Sequence, residues 1–199
     1  MIDLLENMYF AQYNTSPFIT FIVATSPLNE FRPWPLNCWS FNNILIPKKG
    51  FTLFIPSSWI KVEKAGATVL FEDANKKSNN VGVVVNPTRI SSLGEYGTPQ
   101  FVADKLIQAE RRKESTKEAE VIAFSERSGH GGLQVYEFEY KVDSTRGGLK
   151  RVFSAAFVAS KKLYLLNIAH SDGLDDPLDM ERRMFLEQIL HSFDAVPAT

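Results

Sequence analysis

The chain has 199 residues, 44% of them apolar and 23% charged, with a formal net charge of −1. About 150 ordered residues bury roughly 68 to 70% of their unfolded surface, so this length supports one hydrophobic core, and the composition excludes a disordered or fibrous chain. A near-neutral balance also excludes a protein that wraps nucleic acid or anionic lipid by bulk electrostatics, and leaves any charged partner to a local patch.

Residues 1–49 read as an atypical, weakly ordered N-terminal segment. Its longest apolar run, "FITFIVA" at Phe18–Ala24, falls far short of the roughly 20 residues needed to cross a bilayer. No Lys or Arg precedes Arg32, and Asp3 and Glu6 interrupt the pattern of an organellar transit peptide, so no address is legible here. The single cysteine, Cys38, leaves no intrachain disulfide and no thiolate metal cluster. "NEFRPWPLNCWSFNNILIPKKG" holds Pro33 and Pro35 and sustains neither a period of 2 nor one of 3.6.

From Gly50 the patterning becomes regular, and one folded domain is expected over residues 50–196. "FTLFIP" predicts a strand stopped by Pro56, and "SSWIKVEKAG" turns into a second, "ATVLFED". "ANKKSNN" is a polar loop, and "VGVVVNP" is a short β-branched run of the kind covered on both faces. "TPQFVADKLIQAERRKE" predicts a helix with Thr98 as N-cap and Pro99 in its first position; Val102, Leu106 and Ala109 share its buried face. "ERRKESTKE" closes that helix and enters a loop with a mixed-sign exposed face.

In "VYEFEYKV", Tyr136, Phe138, Tyr140 and Val142 alternate with Glu137, Glu139 and Lys141, which predicts a strand with one face packed and the other in water. The chain then passes through "DSTRGG" into "LKRVFSAAFVAS" and through "KK" into "LYLLNIAH", a meander of three antiparallel strands. "DDPLDMERRMFLEQILHSF" predicts a final helix capped by Asp176, with Pro177 first, Asp179 near the positive dipole end, and Leu178, Phe185, Leu186, Ile189 and Phe193 buried. Antiparallel strands with helices at both ends of the pattern give an α+β fold.

Two stretches raise the question of chemistry. "DSTRGGLKR" places two glycines among three cations. A phosphate cradle of this composition would feed a helix N-terminus, whereas these glycines feed a strand, so they read as a hairpin tip. Arg146, Lys150 and Arg151 are then candidates for a patch that pairs with carboxylates of a partner. Of the three histidines, His130 lies in the turn "SGHGG" and His191 in the last turn of the final helix, where a cation suits the dipole. His170, with Asp172 and then Asp175, Asp176 and Asp179, is the candidate for an acid or a divalent-metal site, with calcium or manganese as the ion. No "GxSxG" elbow accompanies it, and "DGLDDPLD" departs from the calcium-loop spacing. A small hydrolase would require a serine hydroxyl beside the His170 ring.

Read in order, "GFTLFIPSSWIKVEKAGATVLFED", "NNVGVVVNPTRISSLGEYGTPQFVADKL", "YEFEYKVDSTRGGLKRVFSAAFVASKKLYLLNIAH" and "LEQILHSFDA" resemble the PsbP family, over roughly Gly50 to Ala195. The resemblance implies an α/β/α sandwich, a central antiparallel sheet flanked by helices in the PsbP/Mog1-like manner. It further implies a non-enzymatic protein of the chloroplast thylakoid lumen, peripheral to the membrane. Such a protein associates with photosystem II and its oxygen-evolving complex, or assists assembly and stability of other thylakoid membrane complexes. Calcium binding belongs to the same implication. Where the extrinsic photosystem subunit has a histidine just after its "GG", this chain has Lys150, so a metal-linked role of that histidine does not carry over. Residues 1–49 match neither that subunit's tail nor a bipartite lumenal transit peptide.

Overall fold

The computed structural model describes residues 41–46 and 49–196. The Phe18–Ala24 run, the Pro33 and Pro35 stretch and Cys38 lie outside the described residues. In chain order the elements are β1 (Phe41–Ile46), β2 (Phe51–Pro56), β3 (Trp59–Val62), β4 (Val69–Asp73), β5 (Asn80–Pro87), α1 (Pro99–Arg111), β6 (Thr116–Ser128), β7 (Gln134–Ser144), β8 (Gly148–Ala159), β9 (Lys162–Ser171), α2 (Met180–Ser192) and β10 (Asp194–Ala195). Seven strands make one sheet in the order β3-β4-β5-β9-β8-β7-β6, and β1, β2 and β10 make a second in the order β1-β2-β10. Every neighbouring pair is antiparallel. The fold is the expected α+β sandwich.

Strand alternation explains the layers. Phe153, Ala155 and Phe157 of β8 and Tyr164, Leu166 and Ile168 of β9 join one core, together with Phe185, Leu186 and Ile189 of α2 and Phe51, Leu53 and Ile55 of β2. Val152, Ala156 and Val158 of β8 and Leu163 and Leu165 of β9 point the other way, into a second core with Val102, Ala103, Leu106 and Ile107 of α1. The two-sided apolar run of β5 divides likewise: Val81 and Val83 enter the α2 core and Val84 the α1 core. It lies beside β9 near the middle of the large sheet, where both faces are covered.

Local signals set the helix ends. The Thr98 side chain accepts from the Phe101 N–H and Pro99 opens α1. The final helix starts three residues later than its sequence predicts. Asp179, not Asp176, is the N-cap, accepting from the Arg182 N–H at 2.7 Å. Asp176 instead pairs with the side chains of Lys76 and Arg182, so of two aspartates less than a turn apart the cap is the one that accepts from a backbone N–H of the helix.

Three further departures are informative. "ERRKESTKE" runs into β6, a strand of 13 residues, rather than a loop. Residues 41–46 form a strand against β2 ahead of Gly50. The polar side of β7 does not face water, because Glu137 and Glu139 are only 4% and 5% exposed. Tyr136, Phe138, Tyr140 and Val142 on the opposite side pack in the α1 core as expected.

Phe193 ties the layers together where α2 ends. It is fully buried, 5.7 Å between ring centroids from Phe51 of β2 and 5.0 Å from Phe157 of β8. Removing a side chain of this size leaves a cavity that its surroundings only partly fill. Phe193→Ala is expected to lower unfolding stability by about 3–5 kcal/mol, read as the shift in the urea midpoint at constant slope.

Candidate functional site

The β7–β8 hairpin explains why two glycines stand together. Gly148 has φ +63, a left-handed backbone that a side chain resists. Gly147 sits close to its neighbours, since a Cβ there would lie 3.1 Å from Ser144 Oγ and 3.2 Å from Lys150 Cε and would require both to shift slightly, and its N–H donates to Ser144 Oγ. The tip holds Arg146 exposed. Lys150 is half-buried with its Nζ 3.5 Å from the Ser78 carbonyl, and burial lowers its pKa.

Arg151 does not join that patch. Successive side chains of a strand leave opposite faces, and Arg151 turns under the sheet toward α2. There its guanidinium donates to Glu139 Oε1 and, at 3.0 and 3.1 Å, to Asp172 Oδ2. Glu139 is gripped from above as well: Arg183 of α2 donates to Oε1 at 2.7 Å and to Oε2 at 2.6 Å, the parallel fork that suits a carboxylate. Glu137, one pleat along, accepts from Arg127 Nε at 2.6 Å and contacts His191 Nδ1 at 3.1 Å. Arg183, Glu187 and His191 recur every four residues, so one face of α2 lies over both glutamates. Arg127 then donates to the Phe193 carbonyl and pairs with Asp194.

His170 lies at the end of β9, 6% exposed, beside a cavity of about 350 Å3. Trp59, Phe185 and Leu186 provide its apolar wall, Asn79 a buried amide, and Lys76, Asp176 and Arg182 a charged rim. His170 Nδ1 is 2.6 Å from the Ser171 carbonyl and so donates to it. Burial lowers the His170 pKa, with Arg182 and Lys76 acting in the same direction and Ser171 and Asp176 against it. Hydrogen bonds from Lys76 and Arg182 hold Asp176 at about 2.

The structure does not bring His170 and Asp172 to a common partner. Asp172 accepts from Arg151 through Oδ2 and from the Leu178 N–H through Oδ1 at 2.9 Å. Burial opposes its ionisation, but the Leu178 N–H and Arg151 outweigh it and hold the carboxyl below the usual range. A divalent ion would have to compete with both for these oxygens. Among the described residues no cluster of three or more His, Cys, Asp or Glu side chains has metal-holding geometry. The residues present therefore do not fit a dehydrated calcium or manganese ion. The hydroxyls of Ser78 and Ser171 bond each other at 3.0 Å, whereas the His170 ring bonds a carbonyl, so this corner has no nucleophile set against a base.

Sequence reasoning missed the Glu137 and Glu139 network. Its signal was present in the spacing: glutamates two apart on a strand, and Arg183 and His191 eight apart on a helix that must cover it.

Comparison with known proteins extends these observations. The profile of the PsbP family matches residues 41–195. Over 150 residues the chain is 71% identical to PsbP domain-containing protein 2, chloroplastic, of Arabidopsis thaliana; the match covers 75% of this chain and 64% of that protein. The solution structure of cyanobacterial PsbP (CyanoP) from Synechocystis sp. PCC 6803 superposes with a TM-score of 0.65 at 18% identity, covering 83% of this chain and 98% of that one. At that identity the superposition establishes the fold.

Two outcomes follow from the geometry. Glu139→Gln removes the carboxylate shared by Arg151 and Arg183, leaving Asp172 and Glu187 to balance them, and is expected to cost about 1–3 kcal/mol, against less than about 1 kcal/mol for the more exposed control Glu187→Gln, both by urea unfolding. For His170, the folded ring takes up a proton less readily than the unfolded one. The unfolded chain then binds more protons below about pH 6.5, and stability falls as pH drops from there through the lower folded value. Asp176, held at about 2, does not titrate in that window. Between pH 7.5 and 5 the native chain should lose more stability than His170→Gln; parallel curves would refute it.

Proposed function

The chain belongs to the PsbP family, and from that we propose that it acts without catalysis, as an accessory protein of photosynthesis in the chloroplast thylakoid lumen. It docks to photosystem II or to an assembly intermediate of a thylakoid membrane complex. The observation that carries this reading is the 71% identity to a chloroplastic PsbP-domain protein across the sandwich. The side chains that could have offered chemistry support it: Arg151 and Arg183 pair with Asp172 and Glu139 inside the fold. Among the described residues no helix is long and apolar enough to cross a membrane, which accords with a peripheral attachment.

The hairpin tip supplies a docking patch reduced from three cations to two. Arg146 projects from a turn whose backbone Gly148 permits, and Lys150 stands beside it with its stem packed against Gly147. A cation partly removed from water gains from meeting a partner carboxylate, and such pairs set orientation and encounter rate. Lys150→Gln is preferable to charge reversal, because a carboxylate there would face the Ser78 carbonyl. Arg146→Glu combined with Lys150→Gln is expected to weaken co-migration with thylakoid complexes on native gels about tenfold. Undiminished co-migration would remove the tip from the docking surface.

A further inference from the structure

The large sheet ends in two unlike strands. At one margin stands β3, of four residues; at the other stands β6, of 13 residues, whose inner side pairs with β7. Among the described residues no strand pairs with its outer side, and an unpaired edge of that length displays a row of backbone donors and acceptors that natural proteins rarely leave apolar. Helix α1 closes only its beginning. There Arg111 Nε donates to the Ala119 carbonyl at 2.9 Å and Ala119 is buried. Beyond it Ile122 and Phe124 are 39% and 41% exposed. Between Val121 and Ala123 the register slips, so Ile122 bulges outward instead of pairing with β7.

We propose that the outer edge of β6 from Glu120 to Ser128 receives an extended segment of a partner protein, which adds as an eighth strand and carries an apolar centre flanked by Lys or Arg. The charges on the strand specify that chemistry. Glu118 and Glu120 precede the Ile122–Phe124 centre and Glu126 follows it, all exposed. The two cations of the strand are committed elsewhere: Lys117 pairs with Asp143, and Arg127 turns inward to Glu137, the Phe193 carbonyl and Asp194. The edge is therefore acidic at both ends and apolar in the middle. A basic segment with a β-branched or aromatic centre matches it in main-chain hydrogen bonds, side-chain pockets and charge.

A second copy of this chain fits worse. In the antiparallel registers centred on Ile122 or on Ala123, Glu126 takes the strand position beside Glu118 or Glu120 of the other copy, on the opposite face of the sheet across the bulge, and the two cations of each strand are already committed. Such an edge gains no opposite-charge pair from its own copy. The same carboxylates thus select a basic partner over a second copy. This surface is separate from Arg146 and Lys150 and does not depend on which complex is the partner, so a failure at β6 leaves the reading of the hairpin tip standing.

Amide hydrogen exchange on the full chain tests it. The probe is an acetylated ten-residue peptide with alternating Val and Thr at its centre and two lysines at each end; the control has glutamates in place of the lysines. Slowing of exchange by about tenfold at the outward β6 amides beyond Glu120, those not bonded to β7, is expected with the lysine peptide, and much less with the glutamate peptide. Ile122→Lys and, as a milder variant that keeps β propensity, Phe124→Thr should each raise the dissociation constant at least about fivefold while leaving the melting temperature unchanged. The proposal is overturned if millimolar lysine peptide leaves these amides unprotected, if both peptides protect them equally, or if protection falls elsewhere. Protection of these outward amides without peptide overturns it as well: it would mean that a second copy covers the edge if it rises with protein concentration, or that the chain covers its own edge if it does not.

Discussion

A carboxylate withdrawn from water destabilises a fold by several kcal/mol unless cations and donors meet it with good geometry, and here two of them, Glu137 and Glu139, lie side by side under a helix. Each requirement they impose fixes another element. Glu139 demands Arg151 from the neighbouring strand and Arg183 from α2; Glu137 demands Arg127 from the other neighbouring strand and His191 one helix face further on. Helix α2 can therefore lie over β7 in one register only, since a shift by one residue would rotate Arg183 and His191 off their glutamates. Arg127 carries the constraint onward to Phe193 and Asp194, where the helix gives way to β10 and the small sheet. Hydrophobic burial supplies the energy of this layer, and the charge pairs decide its alignment.

That division explains what the sequence disclosed. Elements whose signals are local and apolar were legible: the Thr98–Pro99 start of α1, the β5 run, the meander from β7 to β9, and the stripe of Phe185, Leu186 and Ile189. Where polarity stood in for exposure, the inference failed. Glu137 and Glu139 alternate as a solvent face would, and only their distant partners reveal burial. Strand β6 was hidden because its exposed edge has too few apolar residues for a period to register. The start of the final helix was ambiguous because several aspartates could cap it; Asp179 takes the Arg182 N–H, while Asp176 meets the side chains of Lys76 and Arg182.

For the candidate site the lesson is similar. His170 lies at the end of β9 and Asp172 stands two residues later, just beyond the strand, which is why they resemble a ligand pair. Three-dimensional partners separate them: Asp172 belongs to Arg151, and His170 belongs to the cavity beside Trp59. Arg151, read as a surface cation, is part of the interior. What remains exposed on the hairpin is Arg146 with the stem-packed Lys150, a smaller and better-oriented feature than three cations in a row suggest.

The pairing of β5 with β9 bears on how the chain reaches this structure. Between those strands in sequence lie α1 and all of β6, β7 and β8, so their ladder closes a very long loop, and β2 with β10 closes a longer one still. Contacts so remote from one another along the backbone are assembled slowly. The β6–β9 meander, built from short connections, can zip first and offer β9 as a template, while β3, β4 and β5 wait with their valines uncovered. During that interval the early strands are the part of the polypeptide that a chaperone has most reason to hold.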